Sequence, residues 1–219
     1  MPSFRLLSAV AFSCSLAALA GCSTAPPPPL ERPAEFTPLG VGATYLSSDV
    51  INGRKARAAK LRGAGVRPLT PAGAADYLAW TESQLRQQTA GIGVDIIRLG
   101  NTILVRIPAS LTFDANSSAV KPEFDATLKE IARTVKTRNQ GFVDVLAHTD
   151  TSGSPQYNLA LSQKRASAVA TYLAAHGVAK ARIASKGYGE TAPLVVPDDT
   201  PDKQATNRRV EIRLVPFAG

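Results

Sequence analysis

The chain has 219 residues, a net charge of +8 at neutral pH and a pI near 9.8. This length excludes more than two ordinary domains, and a hydrophobic fraction of 44% is enough for a soluble core. The basic excess favours an anionic partner, namely nucleic acid, a membrane surface or an acidic polymer, but charge alone does not choose among them.

Residues 1–21 have the pattern of a signal peptide. Arg5 is the only charge before Glu31, and the apolar run Leu6 to Ala20 has a length typical of signal peptides and too short for a bilayer span. The run ends in Leu19-Ala20-Gly21-Cys22, which resembles a bacterial lipobox. This resemblance implies cleavage after Gly21 and acylation of Cys22; the alternatives are an ordinary, unlipidated signal peptide and an apolar terminus without a targeting role.

The cysteines agree with a lipid anchor. Cys14 would leave with the signal peptide and Cys22 would carry lipid, so no thiol remains for a disulfide, a metal site or a nucleophile. Several acyl chains hold a protein on a membrane where one chain does not. By resemblance to lipoprotein sorting signals, Ser23 implies the outer membrane, with the domain facing the periplasm.

Residues 22–69 are predicted to form a lipidated linker. Its first part is proline-rich, which predicts an extended, semi-rigid tether of about 3.1 Å per residue. Residues 39–69 carry a basic cluster that has two interpretations: contact with anionic head groups or glycan, or a solvated, partly disordered linker, which is favoured. The cluster consists of Arg54, Lys55, Arg57, Lys60, Arg62 and Arg67.

An N-terminal helix is predicted over residues 70–92. Thr70-Pro71 offers an N-cap followed by proline at the first helical position, and Gly91 and Gly93 end the helix after about Thr89. This helix should pack on the following domain, residues 93–219. The side chains predicted to be buried are Tyr77, Leu78, Thr81 and Leu85.

The domain itself shows five strand patterns and two helical ones. The helices open at Lys121-Pro122 and Ser154-Pro155. The order from residue 93 onward is β-β-α-β-α-β-β, which predicts an α/β two-layer sandwich with the helices on one face of the sheet. The strands are predicted at 94–98, 103–107, 142–147, 182–187 and 208–215.

The inner faces of the two helices follow from their apolar spacing. The first helix should bury Phe124, Leu128, Ile131 and Val135. The second helix should bury Leu161, Ala168, Val169, Tyr172 and Leu173, with Gly177 as its C-terminal cap.

Four motifs occur in a fixed order in this domain. They are His148-Thr149-Asp150 with Gly153, Asn158 with Leu161-Ser162 and Arg165-Ala166, Gly187-Tyr188-Gly189-Glu190, and Asn207-Arg208-Arg209-Val210-Glu211-Ile212. Together they resemble the OmpA C-terminal domain family over about Phe113 to Leu214. The stretches 85–94 and 103–113 are similar to the small YiaD-type outer-membrane lipoproteins of this family. The resemblance implies peptidoglycan binding.

Asp150 and Arg165 are the central candidates. A strand end and the first turns of the next helix share one side of a sheet, so an anion and a cation can converge there. Such a pair suits a zwitterionic ligand, because Asp150 can bind its ammonium group and Arg165 can bind its carboxylate. The guanidinium of an arginine donates two parallel hydrogen bonds to a carboxylate, which a lysine cannot do. The resemblance implies the diaminopimelate of peptidoglycan stem peptides as this ligand. A structural Asp–Arg ion pair is the alternative.

Five further side chains are predicted to contribute. Asn116 and Asn158 either bind peptide groups of the ligand or cap their own backbone, and the family match favours binding. Arg208 should reach the site from the start of the last strand, whereas Arg209 should face the other way. Thr149 and Leu161 are expected in the wall of the site, and Phe113 in the core.

No cofactor, metal site or catalytic residue is predicted. The chain has two histidines, and His148 is expected to be a hydrogen-bonding prop for the loop after its strand. The family usually has Gly-Arg or Gly-Lys where Lys203-Gln204 stands, which puts the contact of the loop 193–207 with the ligand in doubt. The aspartates of this loop suggest a solvated acidic patch or a weak cation site; they are Asp198, Asp199 and Asp202.

These features predict a non-catalytic lipoprotein that joins the outer membrane to peptidoglycan and does not bind nucleic acid. A regulatory lipoprotein, whose wall binding controls a periplasmic protein through residues 39–90, is the alternative. An enzyme such as a zinc amidase or a glycosidase is disfavoured, because the sequence lacks a metal-binding set and a paired-carboxylate pattern.

Overall fold

The computed structural model describes the backbone of residues 48–219 and the side chains from Gly53 onward. The predicted signal peptide, the lipidation site at Cys22 and the proline-rich tether lie outside the described residues. None of the helices in the described part combines the length and apolarity needed to cross a bilayer.

The described residues fold into one five-stranded sheet with helices packed against it. The strands are β1 (Asp95–Leu99), β2 (Thr102–Pro108), β3 (Gly141–His148), β4 (Ile183–Gly189) and β5 (Arg209–Pro216). The helices are α1 (Ser48–Gly63), α2 (Pro71–Gln88), α3 (Ala109–Thr112), α4 (Pro122–Thr137), α5 (Pro155–Ala175) and α6 (Pro201–Asn207), with a 3₁₀ turn at Lys180–Arg182.

The sheet order is β1-β2-β5-β3-β4, in which β3 and β4 are parallel and all other neighbours are antiparallel. The connection between the parallel strands runs through α5, as a crossover between parallel strands requires. This architecture confirms the predicted α/β sandwich. The short helices α3 and α6 were not predicted, because each has too few residues to show a periodic pattern.

The main core lies between one face of the sheet and the helices α2, α4 and α5. The α4 side chains Phe124, Leu128, Ile131 and Val135 are all buried, as their spacing predicts. The N-cap of α2 is also confirmed, since the Thr70 side chain accepts a hydrogen bond from the Gly73 amide at 3.1 Å. The predicted inner face of α2 is confirmed at all four positions: Tyr77, Leu78, Thr81 and Leu85.

The prediction for α5 is only partly correct. Val169 and Leu173 are buried, but Leu161, Ala168 and Tyr172 are only half-buried. In the first half of the helix the buried side chains are small or polar instead, and these are Asn158, Ser162, Arg165 and Ala166. An apolar pattern alone could not show this, because the buried face changes from polar to apolar along the helix.

Gly187 explains why α5 can lie so close to β4. A Cβ at this position would collide with the backbone of Gln163 on α5. On the same strand, the Gly189 amide donates a hydrogen bond to the Ser162 hydroxyl at 2.8 Å. The close approach holds the first half of α5 over the carboxyl ends of β3 and β4.

Helix α1 corrects the interpretation of residues 39–69 as a solvated linker. Asp144 on β3 is fully buried and, because neighbours on a strand alternate in direction, faces away from the core residues Val143 and Val145. Its carboxylate accepts hydrogen bonds from Arg54 at 2.5 Å and from Arg57 at 2.6 Å, both on α1. Two arginines of the basic cluster therefore form ion pairs within the folded domain.

Apolar contacts complete the docking of α1. Leu61 is 1% exposed and packs with Phe142 and Phe217 in a second, smaller cluster. Arg57 also donates to the carbonyl oxygen of Arg182 at 2.7 Å. The linker prediction failed here because the partners of α1 lie far away in the sequence, where local composition gives no indication of them.

We predict that Asp144→Asn releases α1 from the sheet. Asparagine has the same shape but turns an acceptor oxygen into a donor that faces two arginines, and removing one member of a buried ion pair costs about 3 kcal/mol. Trypsin should then cleave α1 at its basic residues at least tenfold faster than in the wild type. Asp76→Asn is the matched control, because the Asp76–Arg138 pair is exposed, and an unchanged cleavage rate in Asp144→Asn contradicts the prediction.

Candidate ligand-binding cavity

A cavity of about 460 Å³ opens at the carboxyl end of β3. Its wall comes from the residues after β3, the first half of α5, the loop after α3 and the residue before β5. All seven side chains predicted from the sequence line it: Asn116, Thr149, Asp150, Asn158, Leu161, Arg165 and Arg208. The volume is in the range of small-molecule sites.

Asp150 supplies a buried negative charge at the base of the cavity. The residue is 6% exposed, and its Oδ1 accepts a hydrogen bond from the Ser152 amide at 3.0 Å. Its Oδ2 forms a short ion pair with Nη1 of Arg208. Among the described residues, the ion-pair partner of Asp150 is therefore Arg208 rather than Arg165.

Arg165 supplies a positive charge, and its guanidinium is held in place by backbone carbonyls and an aromatic ring. Its Nε donates to the Ser117 carbonyl at 2.8 Å and its Nη2 to the Asp114 carbonyl at 3.2 Å, while Phe113 lies 5.2 Å below the guanidinium. Burial lowers the pKa of Arg165, and Tyr157 and Asp150 oppose this effect. No described residue accepts a hydrogen bond from Nη1, so the N–H groups on this edge of the guanidinium are available to a ligand.

The two asparagines are placed differently. Asn158 is 2% exposed, and both hydrogens of its amide are committed, to the Asp150 carbonyl at 3.2 Å and to the Glu190 carboxylate at 2.7 Å. Only its Oδ1 remains for another group. Asn116 is exposed on a loop with a left-handed backbone (φ 57°), and its Oδ1 accepts from the Tyr157 hydroxyl at 3.2 Å.

Three further residues were missed as candidates. Glu190 belongs to the Gly187-Tyr188-Gly189-Glu190 motif, and its carboxylate fixes the Asn158 amide. Tyr157 is 46% exposed at the rim, and Lys121 adds a third cation, 3.4 Å from the Asp114 carboxylate. The sequence signal for Tyr157 was its place directly before Asn158, one turn into the helix that carries Arg165.

The loop 193–207 is tied to the rim of the cavity. Asp198 is 7% exposed and accepts hydrogen bonds from the amide and hydroxyl of Thr151 and from Asn207, at 2.9, 2.5 and 3.1 Å. It is therefore not part of a solvated acidic patch. Lys203 lies on α6, where it pairs with Asp199 at 2.7 Å. Within residues 48–219, no group of three or more His, Cys, Asp or Glu could hold a metal ion.

His148 does not line the cavity and is not the predicted hydrogen-bonding prop. It is 1% exposed, stacks on Tyr188 with ring centroids 5.3 Å apart, and neither ring nitrogen has a hydrogen-bond partner among the described residues. Burial and then the neighbouring Arg209 lower the pKa of His148 to about 3. The histidine is therefore neutral at physiological pH.

Arg209 points away from the cavity, as predicted. It is 2% exposed and donates to the Glu211 carboxylate at 2.8 Å and to two backbone carbonyls, those of Asn207 and Ala192. Burial alone raises the pKa of Glu211, but Arg209 and the other nearby cations outweigh it and lower this pKa to about 2. Adjacent arginines thus have different roles, Arg208 at the cavity and Arg209 inside the protein.

Sequence comparisons identify relatives in the bacterial envelope. The model described as "OmpA family" matches residues 112–208, a range that contains all seven side chains that the sequence predicted for the cavity. The chain is 36% identical over 206 residues to "Probable lipoprotein YiaD" of Escherichia coli (strain K12), covering 91% of this chain and 93% of that protein. It is 36% identical over 115 residues to "Peptidoglycan-associated lipoprotein" of Pseudomonas putida, covering 52% and 68%.

Solved structures show the same fold. The cell wall anchor of the T6SS from Pseudomonas aeruginosa matches with a TM-score of 0.55 and 28% identity, covering 60% of this chain and 96% of that one. A MotB like protein from Desulfovibrio vulgaris matches with a TM-score of 0.59 over 65% and 94% of the two chains. Its 21% identity makes it a likeness of fold alone.

The buried histidine predicts how stability depends on pH. Because the pKa of His148 falls from 6.5 to about 3 on folding, below pH 6.5 the unfolded chain binds a proton that the folded protein does not. The free energy of unfolding should therefore decrease as the pH falls from 6.5 to 4.5, by up to about 1.4 kcal/mol per pH unit. Glu211 acts in the same direction but only below about pH 4.5.

His148→Phe tests this prediction by urea unfolding at pH 7, 6 and 5. Phenylalanine keeps the stacking on Tyr188 and does not titrate, so the decrease above pH 4.5 should disappear. His176→Gln is the control, since His176 is half-buried at the end of α5 and its replacement should leave the decrease intact. A decrease that persists in His148→Phe would contradict the assignment of this pH dependence to His148.

Proposed function

Because the chain belongs to the OmpA family, we propose that it is a non-catalytic lipoprotein that anchors the outer membrane to the cell wall, with its domain facing the periplasm. Its similarity over nearly its full length to a probable lipoprotein, and over the domain to a peptidoglycan-associated lipoprotein, supports this function. The observation that carries the proposal is a cavity lined by both the buried carboxylate of Asp150 and the guanidinium of Arg165, whose Nη1 donates to no described residue.

The proposed ligand is the diaminopimelate residue of a peptidoglycan stem peptide. The free end of this amino acid carries an ammonium and a carboxylate on one carbon. Asp150 binds the ammonium, and Arg165 binds the carboxylate through Nη1 and the remaining hydrogen of Nη2. Charge-assisted bonds of this kind are about twice as strong as neutral ones, and the guanidinium fork fixes the orientation of the carboxylate.

Neutral groups complete the proposed site. The Oδ1 of Asn158, the amide of Asn116 and the hydroxyl of Thr149 face peptide groups of the stem, and Leu161 forms an apolar wall. The Thr149 hydroxyl is buried without a hydrogen-bond partner among the described residues, which favours a partner from a ligand. Arg208 forms the remaining part of the wall.

The proposed chain organisation is a lipid on Cys22 after removal of residues 1–21, a tether that ends where α1 begins, and a domain that carries α1 on its sheet. Helix α1 belongs with the domain because Arg54, Arg57 and Leu61 are packed against β3 and its neighbours. The tether is therefore shorter than residues 22–69, and it spans the distance between the membrane surface and the cell wall.

Cosedimentation with insoluble diaminopimelate-type peptidoglycan tests the site. Asp150→Asn should weaken binding more than tenfold, because removing one member of a buried charge contact leaves the other charge unpaired. Arg165→Lys should also weaken binding more than tenfold, because lysine cannot donate two parallel hydrogen bonds to a carboxylate. Lysine keeps the charge of Arg165 but loses the fork, so this variant tests the geometry rather than the charge.

Two exposed positions provide matched controls, Asp199→Asn and Arg86→Lys, which should sediment like the wild type. Circular dichroism and the melting temperature of each variant separate lost binding from lost folding. A folded Asp150→Asn, Arg165→Lys double variant that sediments as well as the wild type would refute the site.

Cys22→Ser tests the anchor. Without the thiol no diacylglycerol is attached, and without acyl chains the processed protein has no stable hold on the membrane. In cells whose peptidoglycan has been digested, the variant should be lost from the outer-membrane fraction. Cys14→Ser should stay in the membrane fraction, and equal membrane retention of both variants contradicts lipidation at Cys22.

A further inference from the structure

We propose that Arg208 is an internal competitor for the ammonium-binding carboxylate: in the ligand-free protein it occupies Asp150, and a ligand ammonium has to displace it. This inference rests on the proposed function, since it concerns the same site. It assigns to Arg208 a role different from the direct ligand contact expected from the sequence.

The first argument is the state of the Asp150 carboxylate. Its side chain is 8% exposed, and Oδ1 already accepts the Ser152 amide within the chain. The other oxygen, Oδ2, is the one that faces Arg208. A ligand ammonium that binds this carboxylate through Oδ2 therefore meets an oxygen that a guanidinium N–H already occupies.

The second argument is that Arg208 is held much less firmly than its neighbours. Its side chain is 40% exposed, and the bond to Asp150 is its one hydrogen bond to a described residue. Arg165 is 5% exposed and bound to two carbonyls, and Arg209 is 2% exposed and bound to a carboxylate and two carbonyls. Of these three arginines, Arg208 is the one that can return to water without leaving a buried donor unpaired.

The third argument is that the backbone of Arg208 stays fixed when the side chain moves. Its amide donates to the Gln204 carbonyl at the end of α6, and its carbonyl accepts from the Ala109 amide, both at 2.9 Å. Rotation about the side-chain bonds alone therefore opens the carboxylate. No rearrangement of β5 or α6 is needed.

Such an arrangement has a chemical consequence. The exchange of one cation for another on Asp150 yields little net binding, so a simple amine binds weakly. A ligand that also places a carboxylate on Arg165 makes additional bonds and overcomes the competition. Arg208 thus keeps the buried Asp150 paired while the site is empty, and it lowers the affinity for every ammonium-bearing ligand by a similar factor.

The test measures dissociation constants by calorimetry, with the processed full-length protein in detergent and a soluble muropeptide whose third residue is diaminopimelate. Arg208→Gln should bind this muropeptide about three- to fivefold more tightly than the wild type, the upper part of the range expected for losing a partly exposed ion pair. Arg208→Lys restores a competing cation and should return the affinity to within about twofold of the wild type.

Two controls separate competition from a general effect of charge. Lys121→Gln removes a cation that lines the same cavity but pairs with Asp114, so its gain should be clearly smaller than that of Arg208→Gln. A muropeptide acetylated on the free amine of diaminopimelate carries no ammonium. Its affinity, which is expected to be low, should not increase in Arg208→Gln.

Weaker binding of the muropeptide by Arg208→Gln would overturn the inference, because Arg208 would then hold the ligand directly, and unchanged binding would overturn it as well. Neither outcome affects the proposed function as long as Asp150→Asn abolishes wild-type binding. If the wild type fails to bind both the muropeptide and intact peptidoglycan, the proposed function fails together with this inference.

Discussion

The structure depends on the neutralisation of buried carboxylates by arginines from distant parts of the chain. Asp144, Asp150 and Glu211 are at most 6% exposed, and a carboxylate buried without a partner is strongly unfavourable. Each has arginine partners, but the partners differ in exposure. The side chains of Arg54 and Arg57 on Asp144 are 19% and 9% exposed, whereas Arg208 on Asp150 is 40% exposed. The first pairing fixes a helix, and the second is the one that we propose a ligand replaces.

The sequence predicted the fold well where structure is encoded locally. The strands and the helices α2 and α4 follow from periodicity and capping, and their buried faces agree with the structure. The convergence of the cavity residues was also predictable, because a strand end and the following helix lie on one side of a sheet. The family resemblance supplied the rest, namely the loop of Asn116 and the start of β5.

Three features could not be predicted, and each depends on contacts between distant residues. Helix α1 needed knowledge of Asp144, which lies more than eighty positions away from its arginine partners. The face of α5 depends on Gly187, which allows a close approach to β4. The structural role of an individual arginine is also hidden: Arg182 is 1% exposed and bound to three backbone carbonyls, and these lie more than forty positions away in the sequence.

In the proposed anchor, the pull from the membrane tether and the pull from the cell wall both act on β3. The tether enters through α1, which is held by Asp144 in the middle of the strand, and the cell wall is held at Asp150, two residues after its end. The two aspartates are six positions apart, which corresponds to at most about 20 Å of extended chain. β3 is an interior strand, hydrogen-bonded to β5 on one side and β4 on the other, so a pull along it is shared by two ladders. A helix docked on an edge strand would load a single ladder, so the position of Asp144 suits a protein that transmits force between its lipid and its ligand.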